Sequence, residues 1–351
     1  MKRFISLLLV MLLAFSLAAC NSNDVTENKD SEKNEENTEL EEKIVVYSTH
    51  PEDLLEYVSG KFEEKTGVKV EFINLRGELA DRVRAEKENP QSDVMFGGAS
   101  SLFIDMKKDD LFEKYVPAWS NDIKDIFKDE EGYWTGTIQT PVMLFYNNEM
   151  LSEKEAPKDW SDLANPKYKN NVLSRNSLSS SARATIASLL YQYYKDDNME
   201  EGWNFINEFD DNVKGYYGSG SLQFQAIGRK EGAVSFSVLN SIIDNKEKNN
   251  LPLSIVDAKS GSPVITDAVA VIKGAKHMNA AKAFVDFVGS PEIQAELANK
   301  FNRLPTHPKA IENGKAWMKE AEYKVMDVDW SVVSKKESEW IQKWASEIEA
   351  E

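Results

Sequence analysis

The sequence predicts an α/β protein of two domains, and three features indicate this class. Short runs of β-branched and aromatic residues alternate with stretches whose apolar residues recur at helical spacing, an order that implies parallel sheets covered by helices. Residues 44–351 are enough for two domains of typical size. The rhythm changes near Thr137, where a long strand-like run that contains Pro141 separates two α/β series.

The first twenty residues carry an export signal. Lys2 and Arg3 precede an apolar stretch, Phe4–Ala19, which leads directly into the only cysteine, Cys20. That stretch is short for a membrane span, which needs about twenty residues, whereas a basic start, an apolar core and small residues before a cleavage point define a signal peptide. A lone cysteine also excludes a disulfide framework. The order Leu-Ala-Ala-Cys resembles the lipobox of bacterial lipoproteins, which implies that Cys20 carries acyl chains such as palmitate; a chance cysteine after an ordinary signal peptide is the alternative.

A polar linker follows the signal peptide. Residues 21–43 contain nine acidic residues and three lysines, with Val25 and Leu40 as the only aliphatic residues. Such a segment cannot bury enough apolar surface to offset the entropy of ordering, so we expect it to be disordered and extended. The chain is thus predicted to comprise a signal peptide (1–19), a lipidated Cys20 with a disordered acidic linker (20–43), and a folded body outside the cytoplasm, anchored to the membrane.

The first domain begins directly after this linker. Its predicted elements are strands at 44–48, 68–72 and 93–96 and helices at 51–66 and 78–88. Pro51 suits a first helical turn and Gly67 suits a helix end. Open α/β sheets bind ligands at the carboxyl ends of their strands, so we expect loops 48–50, 75–77 and 97–101 to contact a ligand.

The second domain repeats the same alternation. Its predicted elements are the long strand 137–147, strands at 171–174, 213–217 and 233–237, and helices at 182–194 and 221–229. A return strand at 264–272 follows, then helices at 280–288 and 291–301 and terminal helices within 310–351. Pro141 cannot donate to a sheet, which suits an edge strand or a strand that crosses between domains.

Several motifs in this order resemble the solute-binding proteins of bacterial ABC importers, in the group that holds the ferric-ion, hexose-phosphate, thiamine and aminophosphonate binders. They are Val45-Val46-Tyr47, Phe62-Glu63-Glu64-Lys65-Thr66-Gly67-Val68-Lys69-Val70, Asn89-Pro90-Gln91-Ser92-Asp93-Val94, Trp160-Ser161-Asp162-Leu163, Pro166-Lys167-Tyr168-Lys169 and Ala280-Ala281-Lys282-Ala283-Phe284-Val285-Asp286-Phe287. Each motif is weak alone, but together they follow the family's order and spacing over roughly residues 44–310.

The resemblance implies the type II periplasmic-binding-protein fold, with two lobes joined by two crossing hinge strands. Lobe one would comprise 44–139 and 267–351, and lobe two 140–266, with crossings near 138–142 and 262–267. A monomer is expected to close over a small ligand and deliver it to the permease subunits of an importer. A purely adhesive lipoprotein would need no such crossings.

The resemblance also bears on the ligand. The ferric binders use a histidine after the first strand, a glutamate after the third, and adjacent tyrosines in the second lobe, a set that suits trivalent iron. Here His50 lies about one position from the family's place, Gly98 occupies the glutamate position, and Asn240-Ser241 the tyrosine position. Tyr216-Tyr217 lies on an earlier strand, and core packing is expected for at least one of the two. Iron held in the family's manner is therefore not expected.

Other features resemble the organic-anion members. Phe96-Gly97-Gly98 is similar to the aromatic-Gly-Gly turn of the hexose-phosphate binders, and Ser179-Ser180-Ser181 to their helix start. Free N–H groups and the helix dipole make such a start suitable for an anion, although Ser179 could simply cap its helix. The predicted ligand contacts are Ser48, Thr49, His50, Arg76, Gly98, Ser100, Ser179, Ser180, Ser181, Ser219, Ser221, Asn240 and Ser241. A sugar phosphate or phosphonate is the main expectation; ferric iron, or a polyamine or thiamine-type cation held by Asp267 and Glu78, is the alternative.

Composition and motifs argue against other classes. A formal net charge of −17 argues against nucleic acid, whose phosphates need lysine and arginine. The three histidines, His50, His277 and His307, are widely separated, and neither a nucleophile elbow nor a P-loop is present. We therefore expect neither an enzyme nor a resident cofactor or metal.

Overall fold

The computed structural model describes residues 39–75 and 78–349. Its strands are β1 (Lys43–Ser48), β2 (Lys69–Asn74), β3 (Val94–Ala99), β4 (Thr135–Asn147), β5 (Val172–Arg175), β6 (Val213–Tyr217), β7 (Val234–Val238), β8 (Leu253–Val256), β9 (Val264–Val271) and β10 (Leu304–Pro305). Its helices are α1 (Glu52–Thr66), α2 (Leu79–Ala85), α3 (Ser100–Lys108), α4 (Ser180–Tyr194), α5 (Met199–Asn212), α6 (Gly220–Gly228), α7 (Leu239–Lys248), α8 (Met278–Gly289), α9 (Pro291–Phe301), α10 (Pro308–Glu312), α11 (Ala316–Lys319) and α12 (Trp330–Lys343), with one π-helical segment, Trp344–Ile348, after α12.

The strands follow the order β2-β1-β3-β9-β4-β7-β5-β6, with β8 and β10 also paired to β4. β1 runs parallel to β2 and β3, and β5 runs parallel to β6 and β7. β9 is antiparallel to both β3 and β4. Helices connect the parallel strands, as the alternating sequence pattern predicted.

β4 is the strand that changes partners. Its first part pairs with β9 up to Pro141, and its second part, from Val142 onward, pairs with β7. Pro141 therefore lies at the changeover, where a missing N–H costs the sheet least. The structure places this proline inside a strand that changes partners, and the crossing between lobes stays a prediction.

Apolar side chains form clusters on both faces of the strands. Ile44, Val46, Phe96 and Phe284 belong to a cluster over β1 and β3, and Leu144 and Val234 belong to one over β4 and β7. The apolar side chains of α12 and the segment after it join the second of these clusters; they are Val333, Trp340, Ile341, Trp344 and Ile348. The division into lobes stays a prediction, but this C-terminal segment, assigned above to lobe one, packs with strands assigned to lobe two.

The boundary between linker and folded body differs from the prediction. The linker was expected to be disordered through Lys43, but Lys43 begins β1 and pairs with Lys69. Glu41 accepts hydrogen bonds from the N–H groups of Asn279 and Ala280 at the start of α8. Burial opposes ionisation of this carboxyl, but those N–H groups hold its pKa below the usual value. A carboxylate at a helix start is stabilising, so residues 39–43 are ordered by a contact far along the chain.

Other element boundaries agree closely with the sequence pattern. α1 ends at Gly67, whose φ of 78° is a conformation that glycine adopts without strain. α2 is shorter than predicted and ends at Ala85. Within the described ranges, every helix is too short or too polar to cross a bilayer.

Candidate functional site

Three adjoining cavities lie where β3, β5 and β7 end. We call them the inner cavity, of about 430 Å³, the α3 cavity, of about 460 Å³, and the α6–α7 groove, of about 810 Å³. The inner and α3 cavities share Ser180, Ile265 and Asp267. The inner cavity and the groove share Arg175 and Ser181, together with Val238. Because neighbouring cavities share walls, the three together form one cleft, and each lies in the size range of small-molecule sites.

The start of α4 borders all three parts of this cleft. Ser179 is the N-cap, and its hydroxyl accepts a hydrogen bond of 3.4 Å from the N–H of Ala182. Ser180 lines the inner and α3 cavities, and Ser181 lines the inner cavity and the groove. Their N–H groups lie in the first turn, where no intrahelical acceptor exists. Ser179 therefore caps the helix, and the following two serines offer N–H and hydroxyl donors to the cleft.

Arginines distinguish this cleft from the rest of the described surface. Of the arginines that the structure describes, Arg82, Arg84, Arg183 and Arg229 each form an ion pair with a carboxylate. The other two, Arg175 and Arg303, are half-buried, lack a carboxylate within ion-pair distance, and both line the inner cavity. Among the described arginines, the two without an ion pair are thus found at the same cavity.

Arg175, at the end of β5, is held by the main chain. Its Nε–H donates to the carbonyl of Tyr217 at 3.0 Å and its Nη2 to that of Gly218 at 3.1 Å. Its Nη1 lies over the first residue of α6, Gly220, 3.4 Å from the position that a Cβ would take there. Burial lowers the pKa of Arg175, but a guanidinium stays charged in proteins. One edge of this cation therefore remains available to a ligand.

Arg183 is compensated instead. It lies in the first turns of α4, and its Nε–H donates to Glu337 of α12 at 3.1 Å. Both side chains line the α3 cavity, as does Trp330 at the start of α12. The C-terminal helix thus forms a wall of the cleft and neutralises one of the four described arginines that line it.

Asp267 lies between the α3 and inner cavities, on β9. Burial raises the pKa of its carboxyl, while Arg303 and a hydrogen bond from the N–H of Gly98 oppose the rise. Sequence reasoning named Asp267 only as a possible cation ligand. An acceptor beside a cation suits a hydroxyl or amine group of a ligand whose acidic end meets the arginines.

The loop after β1 divides into an inner and an outer part. Ser48 is fully buried, and its hydroxyl donates to the carbonyl of Phe96 and accepts from the N–H of His50. The His50 ring is buried, and its centroid lies 4.5 Å from that of the Phe96 ring. A Cβ on Gly97 would stand only 2.7 Å from the His50 ring, and Gly97 has a φ of 91°. Any larger residue at position 97 would therefore displace the ring. Thr49, in contrast, lines the α3 cavity.

Burial, assisted by the charge of Arg303, lowers the pKa of His50 to about 3. The ring is therefore neutral at physiological pH. Its Nε2 has no hydrogen-bond partner among the described residues.

The remaining predicted contacts are partly brought together. Gly98 and Ser100 line the α3 cavity, and Ser221 and Ser241 line the groove. Ser219 caps α6, accepting from the N–H of Leu222. Ser219 and Asn240, like Ser48 and His50, are absent from the cavity walls. Arg76 and Cys20 lie outside the residues that the structure describes.

The paired tyrosines face the protein. The Tyr216 hydroxyl donates to Asp210 at 2.5 Å and its ring packs on Trp344; the Tyr217 hydroxyl donates to Glu231 at 3.1 Å. Across residues 39–75 and 78–349, no group of three or more His, Cys, Asp or Glu is placed to hold a metal ion.

The sequence reasoning missed Arg175, Arg183 and Arg303. Arg175 had a usable signal, because it ends a predicted strand at the ligand-binding edge of the sheet. Arg303 follows a helix, and no sequence signal marked it as a site residue, because its position depends on how α9 and β10 pack.

Comparison with known proteins places the chain among transport proteins. The sequence model of the bacterial extracellular solute-binding protein family matches residues 89–335. A probable ABC transporter periplasmic-binding protein of Sinorhizobium fredii is 30% identical over 294 residues, which cover 80% of each chain.

Solved structures agree with this placement. The periplasmic binding protein AfuA of Actinobacillus pleuropneumoniae, with exogenous fructose-6-phosphate bound, superimposes with a TM-score of 0.68 at 25% identity, covering 88% of this chain and 99% of that one. The apo ferric ion-binding protein A of Pasteurella haemolytica superimposes with a TM-score of 0.76 at 20% identity, covering 87% and 97%; this second likeness concerns the fold alone.

Proposed function

The chain belongs to the family of bacterial extracellular solute-binding proteins, the ligand-capturing components of ABC importers, and we propose that its ligand is a small organic anion bearing a phosphate or phosphonate group. Both the family and the type II periplasmic-binding-protein fold predicted from the sequence are confirmed. Proteins of this kind are transport components and not enzymes.

The observation that carries the proposal is the pair of half-buried arginines, Arg175 and Arg303, which line the inner cavity of a strongly acidic protein and outnumber the one carboxylate, Asp267, that its described lining contains. A half-buried cation without a counter-charge is destabilising to the free protein, and an anionic ligand would supply the missing charge. The donors at Ser180 and Ser181 approach the same inner cavity, and a helix start favours negative charge. Arginine next to free N–H groups is an arrangement suited to the several oxygens of a phosphoryl group.

Ferric iron is the alternative, since a ferric ion-binding protein is among the structural relatives. The hard anionic ligands that trivalent iron requires are carboxylates and tyrosinates. Among residues 39–75 and 78–349, Asp267 is the only carboxylate that lines the inner cavity, and both tyrosines considered above are hydrogen-bonded elsewhere. The charge of the inner cavity therefore favours an anion over a trivalent cation.

The proposal extends to how the ligand is held. Residues 44–139 and 267–351 would form lobe one, and residues 140–266 lobe two, closing over the cleft by bending at β4 and β9. Hinge closure is an established transition of binding proteins. α12 contacts both α3 and α4, so it would accompany or limit that motion.

The proposal also covers the cell envelope. The signal segment and the lipobox-like sequence support a lipoprotein anchored through Cys20 outside the cytoplasm, working as a monomer beside the permease subunits. Each buried methylene of an acyl chain contributes about 0.8 kcal/mol to membrane binding, so two or more chains would hold it stably.

Isothermal titration calorimetry tests the ligand class. The purified protein is titrated with inorganic phosphate, fructose 6-phosphate, 2-aminoethylphosphonate, spermidine and ferric citrate. We expect saturable binding of at least one phosphorylated or phosphonate compound and none of spermidine. Tight binding of spermidine or of ferric iron alone would refute the anion proposal while leaving the role in transport intact.

A further inference from the structure

A short loop, residues 176–179, joins the end of β5 to the start of α4. Arg175 lines the inner cavity on one side of this loop, and Ser180 and Ser181 line it on the other. Any movement of the loop therefore changes the distance between the guanidinium and the free N–H groups of the helix start. The geometry of the cavity depends on what holds the loop in place.

The loop has few contacts of its own. The Leu178 side chain is 88% exposed, although it borders the inner cavity. The N–H of Asn176 donates to the carbonyl of Tyr217 at 3.4 Å, which is longer than a typical hydrogen bond of this kind. The buried Oδ1 of Asn176 has no hydrogen-bond partner among the residues that the structure describes. These contacts alone leave the loop weakly fixed.

A residue near the C-terminus supplies a stronger contact. The N–H of Ser177, in the middle of the loop, donates to Oε2 of Glu349 at 2.7 Å. A hydrogen bond to a carboxylate is roughly twice as strong as one between neutral groups. Glu349 follows the π-helical segment, and its own N–H donates to the carbonyl of Trp344 at 2.9 Å. Because Trp344 is fully buried in the core, the carboxylate is carried by a firmly packed element.

The same C-terminal segment also holds α4 beyond its first turn. Glu337 of α12 accepts a hydrogen bond of 3.1 Å from the Nε–H of Arg183. Near the other end of α4, the ring centroids of Tyr194 and Trp340 lie 5.5 Å apart. α12 therefore lies along α4, and its carboxylate and that of Glu349 fix the chain on both sides of the two serines that line the cavity.

We propose that Glu349 is a positioning residue of the ligand site, acting through the N–H of Ser177. It holds the loop in place before a ligand arrives, so less conformational freedom is lost on binding. This inference rests on the proposed function, because it requires an anion between Arg175 and the start of α4. It adds that ligand affinity depends on a residue that lines none of the three parts of the cleft.

Two neutral replacements separate the hydrogen bond from the charge. Glu349→Gln keeps a side-chain oxygen that can accept from the N–H of Ser177, and Glu349→Ala removes it. Calorimetric titration uses whichever of inorganic phosphate, fructose 6-phosphate and 2-aminoethylphosphonate binds the wild type most tightly. We expect Glu349→Ala to bind it roughly ten-fold more weakly than Glu349→Gln, because the ligand must then order the loop. Glu347→Ala, which removes an exposed carboxylate of the same segment, is the control and should bind like the wild type.

Amide hydrogen exchange, followed by NMR in the ligand-free proteins, tests the loop itself. The Ser177 amide should exchange faster in Glu349→Ala than in Glu349→Gln, whereas the amide of Leu173, buried in β5, should exchange equally in both. A general loss of stability would instead accelerate both amides. If Glu349→Ala does not fold, Glu349→Asp, whose carboxylate is one methylene further from Ser177, replaces it with the same expected results.

The outcomes separate this inference from the proposed function. Equal affinity of the two variants, or equal exchange at Ser177, would overturn the role of Glu349 and leave the anion site standing. If the wild type binds none of the three compounds, the anion site is refuted, and the positioning role with it.

Discussion

The Nε–H of Arg175 donates a hydrogen bond of 3.0 Å to the main-chain carbonyl of Tyr217. The two residues are register partners at the ends of the parallel strands β5 and β6, so pairing of the strands also positions the guanidinium. A side chain already fixed before binding loses little freedom when a ligand arrives. The free protein therefore presents a preorganised cation at the end of its sheet.

Removing this cation should weaken anion binding. Because a hydrogen bond to a charged group contributes about 1.5–3 kcal/mol, we expect Arg175→Ala to weaken the binding of the tightest phosphorylated ligand by roughly ten-fold or more. Titration calorimetry measures the change. Arg84→Ala, which removes a surface arginine paired with Asp109, is the control and should bind normally. Unchanged affinity in Arg175→Ala would remove Arg175 from the site.

Asp267 should lower the stability of the ligand-free protein. Burial raises the pKa of its carboxyl above the usual value for aspartate. Above the folded-state pKa, the ionised carboxylate therefore lowers the stability of the fold. Below the usual pKa the effect vanishes, because the carboxyl is protonated in both the folded and the unfolded chain. Asp267→Asn should therefore raise the melting temperature by a few degrees at pH 7, with the gain disappearing in acid. Asp81→Asn, which removes an exposed carboxyl with a 3.8 Å surface ion pair to Arg84, should not raise the melting temperature at any pH. Destabilisation by Asp267→Asn at pH 7 would contradict this prediction.

His50 should make the fold sensitive to acid. Its pKa falls from about 6.5 to about 3 on folding, so between these values the unfolded chain binds a proton that the folded chain does not. Stability contributed by the neutral ring is complete above about pH 6.5 and is lost as pH falls, by up to ~1.4 kcal/mol per unit. His50→Gln cannot titrate. We expect the free energy of unfolding, measured with urea, to fall between pH 7 and pH 4.5 by about 2–3 kcal/mol less in the variant than in the wild type. Parallel pH profiles of the two proteins would exclude His50 as the cause.

Ligand binding should make the molecule more compact. If the lobes close by bending at β4 and β9, small-angle scattering with a saturating phosphorylated ligand should give a smaller radius of gyration than the free protein. The Arg175→Ala variant at the same ligand concentration provides the comparison, since it should stay largely unliganded. An identical radius of gyration for free and saturated protein would argue against closure.

Membrane attachment should depend on Cys20. In a bacterium that processes lipoproteins, Cys20→Ser should appear in the soluble fraction, because the acyl chains have no other attachment point on this chain. Ser120→Ala, a substitution in the folded body that leaves the signal unaltered, is the control. This variant should remain membrane-bound. Persistence of the Cys20→Ser protein in the membrane, processed as before, would refute the anchor.

The sequence by itself determined the family, the fold and most of the helices and strands, but the pattern missed α3, α5, α7 and the short strands β8 and β10. Apolar periodicity reflects local backbone geometry and burial, so elements such as α1, capped by Gly67, and the long strand through Pro141 could be located from neighbouring residues alone. The helix start at Ser179 to Ser181 was found the same way, because capping is a local interaction.

Only the tertiary structure decided which of these residues share the cleft and which charges remain free. Arg183 is neutralised by Glu337, more than a hundred residues away, whereas Arg303 reaches the inner cavity and forms no ion pair with a carboxylate in the part of the chain that the structure describes. The residues that surround His50 likewise turn a predicted ligand contact into a buried, neutral ring. Electrostatic partners depend on which distant elements pack together, and no local spacing in a single sequence records that packing.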